Sequence, residues 1–187
     1  MVAAEKYPMY AITQRPMHMY HSWGSQNAWL RQITAQNRLY MAREKGRQLG
    51  IADDDWVWIT SNIGRVKAQV KLMEGVNPDT VWTWNAIGKR AGAWGLDREA
   101  PEATKGFLLN HLIAELLPER EGGYRYSNSD PVTGQAAWYD LRVAIEKAPA
   151  ENDPRAEPRF EPLKPLGTGK DARVGVLAFG REFRDRT

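Results

Sequence analysis

The chain has 187 residues, 42% hydrophobic and 26% charged, with a net charge of +3. That length allows one domain with a sizeable core, and so small a charge argues against nucleic acid as a partner. Cysteine is absent, which removes disulfides, thiolate nucleophiles, iron–sulfur ligation and zinc–cysteine sites; no stretch has the apolar length of a membrane span, and residues 1–6 read as neither a signal peptide nor a lipidation site.

In chain order, the first element is an apolar strand over residues 7–13. It breaks at Arg15 and Pro16 into a loop crowded with Thr13, Gln14, Arg15, His18, Tyr20, His21, Ser22, Gln26 and Asn27. A core does not need so many polar groups together, and a solvent loop seldom holds Trp, Tyr and Met among them. A strand end running into such a loop is where barrels place ligand contacts. His18 and His21 have no carboxylate near them in sequence, so a metal site is not expected. Residues 27–33 read as one or two helical turns with Trp29, Leu30 and Ile33 on one face. Residues 40–49 keep helical spacing through Met41, Lys45, Gln48 and Leu49, although Gly46 weakens such a helix by about 1 kcal/mol relative to Ala. Gly50 stands where a left-handed cap is wanted, with Ile51 as its apolar partner.

Asp53, Asp54 and Asp55 then form a solvated turn; the Gly and distal Glu of a calcium loop are missing. Residues 56–61 and 65–72 read as an antiparallel hairpin around Asn62, Ile63 and Gly64, with Val66, Ala68, Val70 and Leu72 inward and Arg65, Lys67, Gln69 and Lys71 outward. After a turn at Pro78 and Asp79, residues 80–84 form a strand that runs into the small polar loop from Asn85 to Gly88. Residues 89–99 are irregular, and a loop of that length usually carries function. A helix is expected over 107–117, with Phe107, Leu108, Leu112, Ile113 and Leu116 on one face, His111 within it and Pro118 ending it. Residues 122–135 are polar and turn-rich, and 141–146 alternate as a strand that would close the sheet. From Pro149 the composition shifts to a charged, Pro-punctuated arm, with 174–183 as an apolar patch able to dock on a neighbour.

Short strands, one hairpin and inserted helices describe a mainly β mixed barrel rather than alternating βαβ layers. Neither G-x-G-x-x-G nor a P-loop follows a strand, which disfavours Rossmann and P-loop sites. A Ser/His/Asp arrangement with a nucleophile elbow is also missing, which ranks a small hydrolase last.

Four segments in order carry a resemblance. Residues 13–22 hold Thr13-x-Arg15-Pro16-x-His18 followed by His21-Ser22. Gly50-Ile51, an acidic turn and Trp56-Val-Trp-Ile come next, and Gly64-Arg-Val keeps the hairpin spacing. Asn128-x-Asp130-Pro-Val-Thr-Gly-Gln135 precedes the last strand. Together they resemble the C-terminal dinucleotide-binding domain of the molybdopterin oxidoreductases, the dimethyl sulfoxide reductase family, over roughly residues 7–147. The wording around Asn128 looks most like the large subunits of sulfite dehydrogenases. Asp54 and Asp55 stand where that family often has Gly, and Met41-Ala42-Arg43 where it often has Asn-Pro; both departures touch packing more than ligand contacts.

The resemblance implies a six-stranded double-psi β-barrel over residues 1–148, with 149–187 as the arm. It implies binding of molybdopterin guanine dinucleotide in an enzyme that moves oxygen atoms and two electrons, with sulfite or another sulfur compound as substrate. The molybdenum (or tungsten) would be held by other domains, so the isolated chain, a domain fragment or separate small subunit, would be inactive. The implied partners are those domains and an iron–sulfur subunit, with a cytoplasmic location at the inner face of the membrane. Each buried heterocycle edge left unpaired costs about 1–3 kcal/mol, so Asn85, Asn128 and Gln135, which offer donor and acceptor together, suit pterin edges. Asp130 suits the paired N–H groups of guanine, or simply caps its own turn before Pro131. Arg15 and the backbone around Ser22 suit phosphate or dithiolene sulfur, with His18 and His21 as further donors and a strand-end ion pair as the alternative for Arg15. Thr13 completes the set. The competing class is a cofactor-free barrel that recognises a substrate or partner, in which these side chains need not converge.

Overall fold

The computed structural model describes residues 3–25, 27–88, 106–114, 116–117, 127–136 and 141–148, and the backbone of 160–162. Six strands form a ring: β1 (Met9–Gln14), β2 (Leu39–Ala42), β3 (Trp56–Thr60), β4 (Gly64–Met73), β5 (Thr80–Trp84) and β6 (Arg142–Lys147). They run in the order β2-β5-β1-β6-β3-β4, and β4 pairs back onto β2, which closes a mixed six-stranded barrel. A short β7 (Phe160–Pro162), in the Pro-rich arm, adds antiparallel to β4 at Gly64–Val66. The rest of the arm, including 174–183, and the loop 89–99 lie outside the described residues.

Period-two alternation builds the interior. Met9, Ala11, Leu39, Met41, Val57, Ile59, Val66, Ala68, Val70, Val81, Val143 and Ile145 form one buried cluster, closed by Phe107, Leu109 and Leu112. Strand directions alternate: β1 is parallel to β5 and antiparallel to β6, and β2 is parallel to β4 and antiparallel to β5. The hairpin β3–β4 and the pair β3–β6 are antiparallel as well. The two long connections, from β1 to β2 and from β5 to β6, therefore leave from and return to the same end of the barrel.

Two helical expectations need correction. Residues 39–42 are a strand, and helix α2 spans only Arg43–Leu49. Leu39 and Met41 point into the core between β4 and β5, and two ladders outweigh the helical spacing. Gly50 does take the left-handed conformation, φ 65° and ψ 29°. Gly46 is no accident, since a Cβ there would lie 2.7 Å from Leu72 Cδ2. Of the described residues in 107–117, only Leu109–Leu112 turn, as a short 3-10 segment. Phe107 and Leu112 are buried as expected, but the Phe107 carbonyl is bonded to Asn37 from across the fold, which holds that stretch extended. Helix α1 (Ala28–Ile33) does form, with the Asn27 side chain accepting from the N–H groups of Trp29 and Leu30. Its apolar residues divide, however: Leu30 turns inward while Trp29 and Ile33 stay exposed.

Lys67 lies on the outer row of β4 as alternation requires, yet is only 4% exposed. Its ammonium sits 5.6 Å from the Trp56 ring and 5.8 Å from that of Trp58. The three acidic turn residues do not converge on a cation site. Asp54 pairs with Arg38, Asp53 with Lys71 at 3.2 Å and Asp55 with Lys147 at 2.7 Å. The turn thus staples β2, β4 and β6. The N–H of Leu72 holds the Asp53 carboxyl below its usual range, and Lys147 does the same for Asp55. Lowered pKa values stabilise the fold above the unfolded carboxylate value, about 4, and the contribution fades as pH falls through the folded values. Asp55→Asn keeps an oxygen able to accept from the Ala52 N–H and loses the charge that pairs with Lys147. Its deficit in melting temperature is expected to be largest at neutral pH and to shrink below about pH 4, as followed by circular dichroism.

Candidate functional site

The parallel pair β1–β5 builds the site. Its register sets Thr13 beside Thr83 and Gln14 beside Trp84, and the N–H of Asn85 continues the ladder to the Gln14 carbonyl at 2.9 Å. Thr13, Arg15 and Asn85 therefore emerge together at one mouth of the barrel. Thr13 shares the inward row with Met9 and Ala11, whereas Arg15 is exposed.

A small second core locks the two strand-end loops together. Met19 packs on Ala86 and Ile87, with Leu30 of α1 against them. That anchors the loop carrying His18 and, after it, the 3-10 turn His21–Gly24. His21 takes φ 50°, the left-handed region that non-glycine residues rarely enter. Its ring meets Tyr20 edge-on at 5.2 Å. The Ser22 carbonyl is already engaged, accepting from the Ser25 hydroxyl at 2.6 Å and the Ser25 N–H at 3.3 Å.

Two atoms here lack what burial demands. His18 Nε2 and Asn85 Oδ1 are buried with no hydrogen-bond partner. Buried polar atoms are otherwise almost always paired, because each orphan costs about 1–3 kcal/mol. One can donate or accept and the other accepts, and the loops that carry them share one apolar anchor. A hydrogen-bond-rich ligand is the partner such a pair calls for.

Asn128, Asp130 and Gln135 lie apart in sequence from these loops, in the described stretch 127–136 of the long β5–β6 connection. The Asn128 side chain donates to the Ala114 carbonyl at 3.0 Å, beside a bridge between Leu116 and Ser127. Asp130 caps its own turn, Oδ1 accepting from the N–H groups of Val132 and Thr133 and from the Thr133 hydroxyl. The Thr133 N–H, then its hydroxyl, then the Val132 N–H hold this carboxyl below its usual range. Gln135 is exposed and returns its carbonyl to the Asp130 N–H at 2.7 Å. The described contacts of these three run to their own loop and to Ala114.

One residue at the mouth gave no sign in the sequence. Asn37, 4% exposed, accepts from the Thr83 hydroxyl at 2.7 Å and the Trp84 N–H at 3.1 Å. It donates to the carbonyls of Trp84 at 2.7 Å and Phe107 at 3.2 Å. Its partners lie 46, 47 and 70 positions along the chain, so no local spacing could reveal it.

A family model, the Molydopterin dinucleotide binding domain, matches residues 9–128. A sulfite dehydrogenase subunit of Allochromatium vinosum is 57% identical over 162 residues, which cover 87% of this chain and 17% of that protein. The molybdopterin-containing subunit of the arsenate respiratory reductase of a Shewanella strain is 34% identical over 107 residues, 54% of this chain and 11% of that one. The chain thus spans less than a fifth of the length of these relatives. Among solved structures, acetylene hydratase from Pelobacter acetylenicus matches with a TM-score of 0.56 at 15% identity, over 78% of this chain and 19% of its own; that likeness concerns the fold.

Proposed function

The chain belongs to the molybdopterin dinucleotide-binding domain family, and we propose that it clamps molybdopterin guanine dinucleotide at the mouth built by β1 and β5, as one part of a longer molybdenum oxidoreductase subunit. The observation that carries this is the pair of buried, unpartnered polar atoms, His18 Nε2 and Asn85 Oδ1, on interlocked strand-end loops. The residues present fit the group. Asn85 and His18 would pair with a heterocycle edge, and Thr13 would add a hydroxyl from the inward row. Arg15, exposed at the strand end, would neutralise the pyrophosphate, with His21 and Ser22 lining the same loop. Asn128, Asp130 and Gln135 would reach the cofactor from the β5–β6 connection, a role that rests on the family resemblance. When bound, the cofactor supplies two-electron, oxygen-atom chemistry at its metal; this chain's own residues hold and orient it and exclude water.

The likeness to a sulfite dehydrogenase subunit supports sulfite oxidation as the reaction of the whole subunit. The remaining domains of such a subunit would also cover an apolar surface. Five of the nine exposed large apolar side chains among the described residues are Met17, Tyr20, Trp23, Trp29 and Ile33, all on the mouth-side connection 15–38. Met17 is 100% exposed and Trp29 77%. An iron–sulfur partner subunit belongs to the same reading and rests on the family resemblance alone.

The test is fluorescence titration of the purified chain with the oxidised, fluorescent pterin dinucleotide. Saturable binding is expected, and His18→Leu is expected to weaken it about 10-fold, the cost of about one buried hydrogen bond. Absence of binding, or equal binding by His18→Leu, would contradict the assignment.

A further inference from the structure

We infer that Asn37 is the positioning residue of the cofactor mouth: its side-chain amide takes the place of a missing strand and fixes where Asn85 stands. The inference rests on the cofactor reading above and adds a residue outside the ligand-contacting set.

Strand β5 needs a neighbour on each edge. On one side β1 serves it as far as Trp84. On the other, β2 runs antiparallel and pairs at Tyr40 and Trp82, which would place Arg38 opposite Trp84. The backbone does not continue that ladder. The Asn37 amide bonds both the N–H and the carbonyl of Trp84, as a strand residue would. Asn85, the next residue, is thus delivered from a peptide held on both edges. The Thr83 hydroxyl orients the amide by donating to Oδ1, which leaves Nδ2 to reach the Phe107 carbonyl as well.

That last bond ties in a second strip of chain. Residues 87–88 and 106–107 lie backbone against backbone, close enough that a Cβ on Gly106 would fall 2.6 Å from the Ile87 carbonyl oxygen and 3.1 Å from Asn37 Cβ. One amide therefore sets the end of β5, the loop after it and the strip that covers that loop. All four of its hydrogen-bonding positions are used, so no alternative orientation satisfies them equally.

The test compares Asn37→Ala with Val57→Ala, a core truncation on β3 remote from the mouth. Both are measured at a temperature where each is folded. Asn37→Ala is expected to lose hydrogen-exchange protection at 83–88 and 106–108 and to bind the oxidised pterin dinucleotide at least about 10-fold more weakly. Val57→Ala, with a comparable loss of melting temperature, is expected to bind as the unaltered chain does. If Asn37→Ala does not fold, Thr83→Val, which removes only the hydroxyl that orients the amide, carries the same comparison with a loss of about 3-fold. Failure of the unaltered chain to bind overturns the cofactor reading and this inference with it. Binding by the unaltered chain, together with undiminished binding by the Asn37 or Thr83 variant, overturns this inference alone.

Discussion

Asn85→Leu is expected to make the unliganded chain more stable and its hold on the dinucleotide weaker. The two effects share one cause. Asn85 Oδ1 is buried without a partner, and such an atom costs about 1–3 kcal/mol until a ligand pairs with it. A leucine of similar size removes the penalty, which for a chain of this length should raise the melting temperature by roughly 2–4 °C per kcal/mol. The same change removes the acceptor the ligand would use, for a loss of about 10- to 100-fold in affinity, the equivalent of roughly 1.4–2.8 kcal/mol. Thermal melts and titration of one variant read both signs. A variant less stable and equally able to bind would show that the orphaned oxygen serves packing rather than ligand.

Gly88→Ala should be the most damaging small substitution at the mouth. A Cβ there would lie 2.3 Å from the Phe107 carbonyl oxygen, and the residue holds φ 149°, which only glycine adopts without strain. Left-handed strain and the forced separation of two backbones each cost about 1–3 kcal/mol. At about 2–4 °C per kcal/mol, a drop of roughly 4–24 °C in melting temperature is therefore expected. Gly75→Ala is the control: nothing lies within 4 Å of its Cβ, so it should melt within about 2 °C of the unaltered chain. Equal melting of both variants would mean that strips 87–88 and 106–107 are not in contact in solution.

The same contacts explain which parts could be read from the sequence. Strands β4 and β6 announce themselves because inward and outward residues alternate, and β1, β3 and β5 because short apolar and aromatic runs are bounded by turn residues. β2 is too short for that: Leu39 and Met41 are its only inward pair of alternate side chains, and the helical spacing of the following α2 ran back over Met41. At 107–117 the apolar residues suit a helix or an extended strip equally, and Asn37 and Gly88, distant in sequence, decide for the strip. The polar crowd at Thr13–Ser22 was legible because its composition is wrong for both core and solvent. Asp130 was ambiguous for a physical reason, since an Asp before Pro is also a good turn cap, and Val132 and Thr133 take its Oδ1. Asn37 was not legible because its partners are assembled only by barrel closure.

If side chains of the two strand-end loops replace water around the dinucleotide, hydrogen–deuterium exchange of the chain with and without saturating pterin dinucleotide will show it. New protection is expected at 13–24 and 85–88, while β3 and the turn 52–55 stay unchanged. Protection confined to the β3–β4 face, or none at saturation, would contradict it.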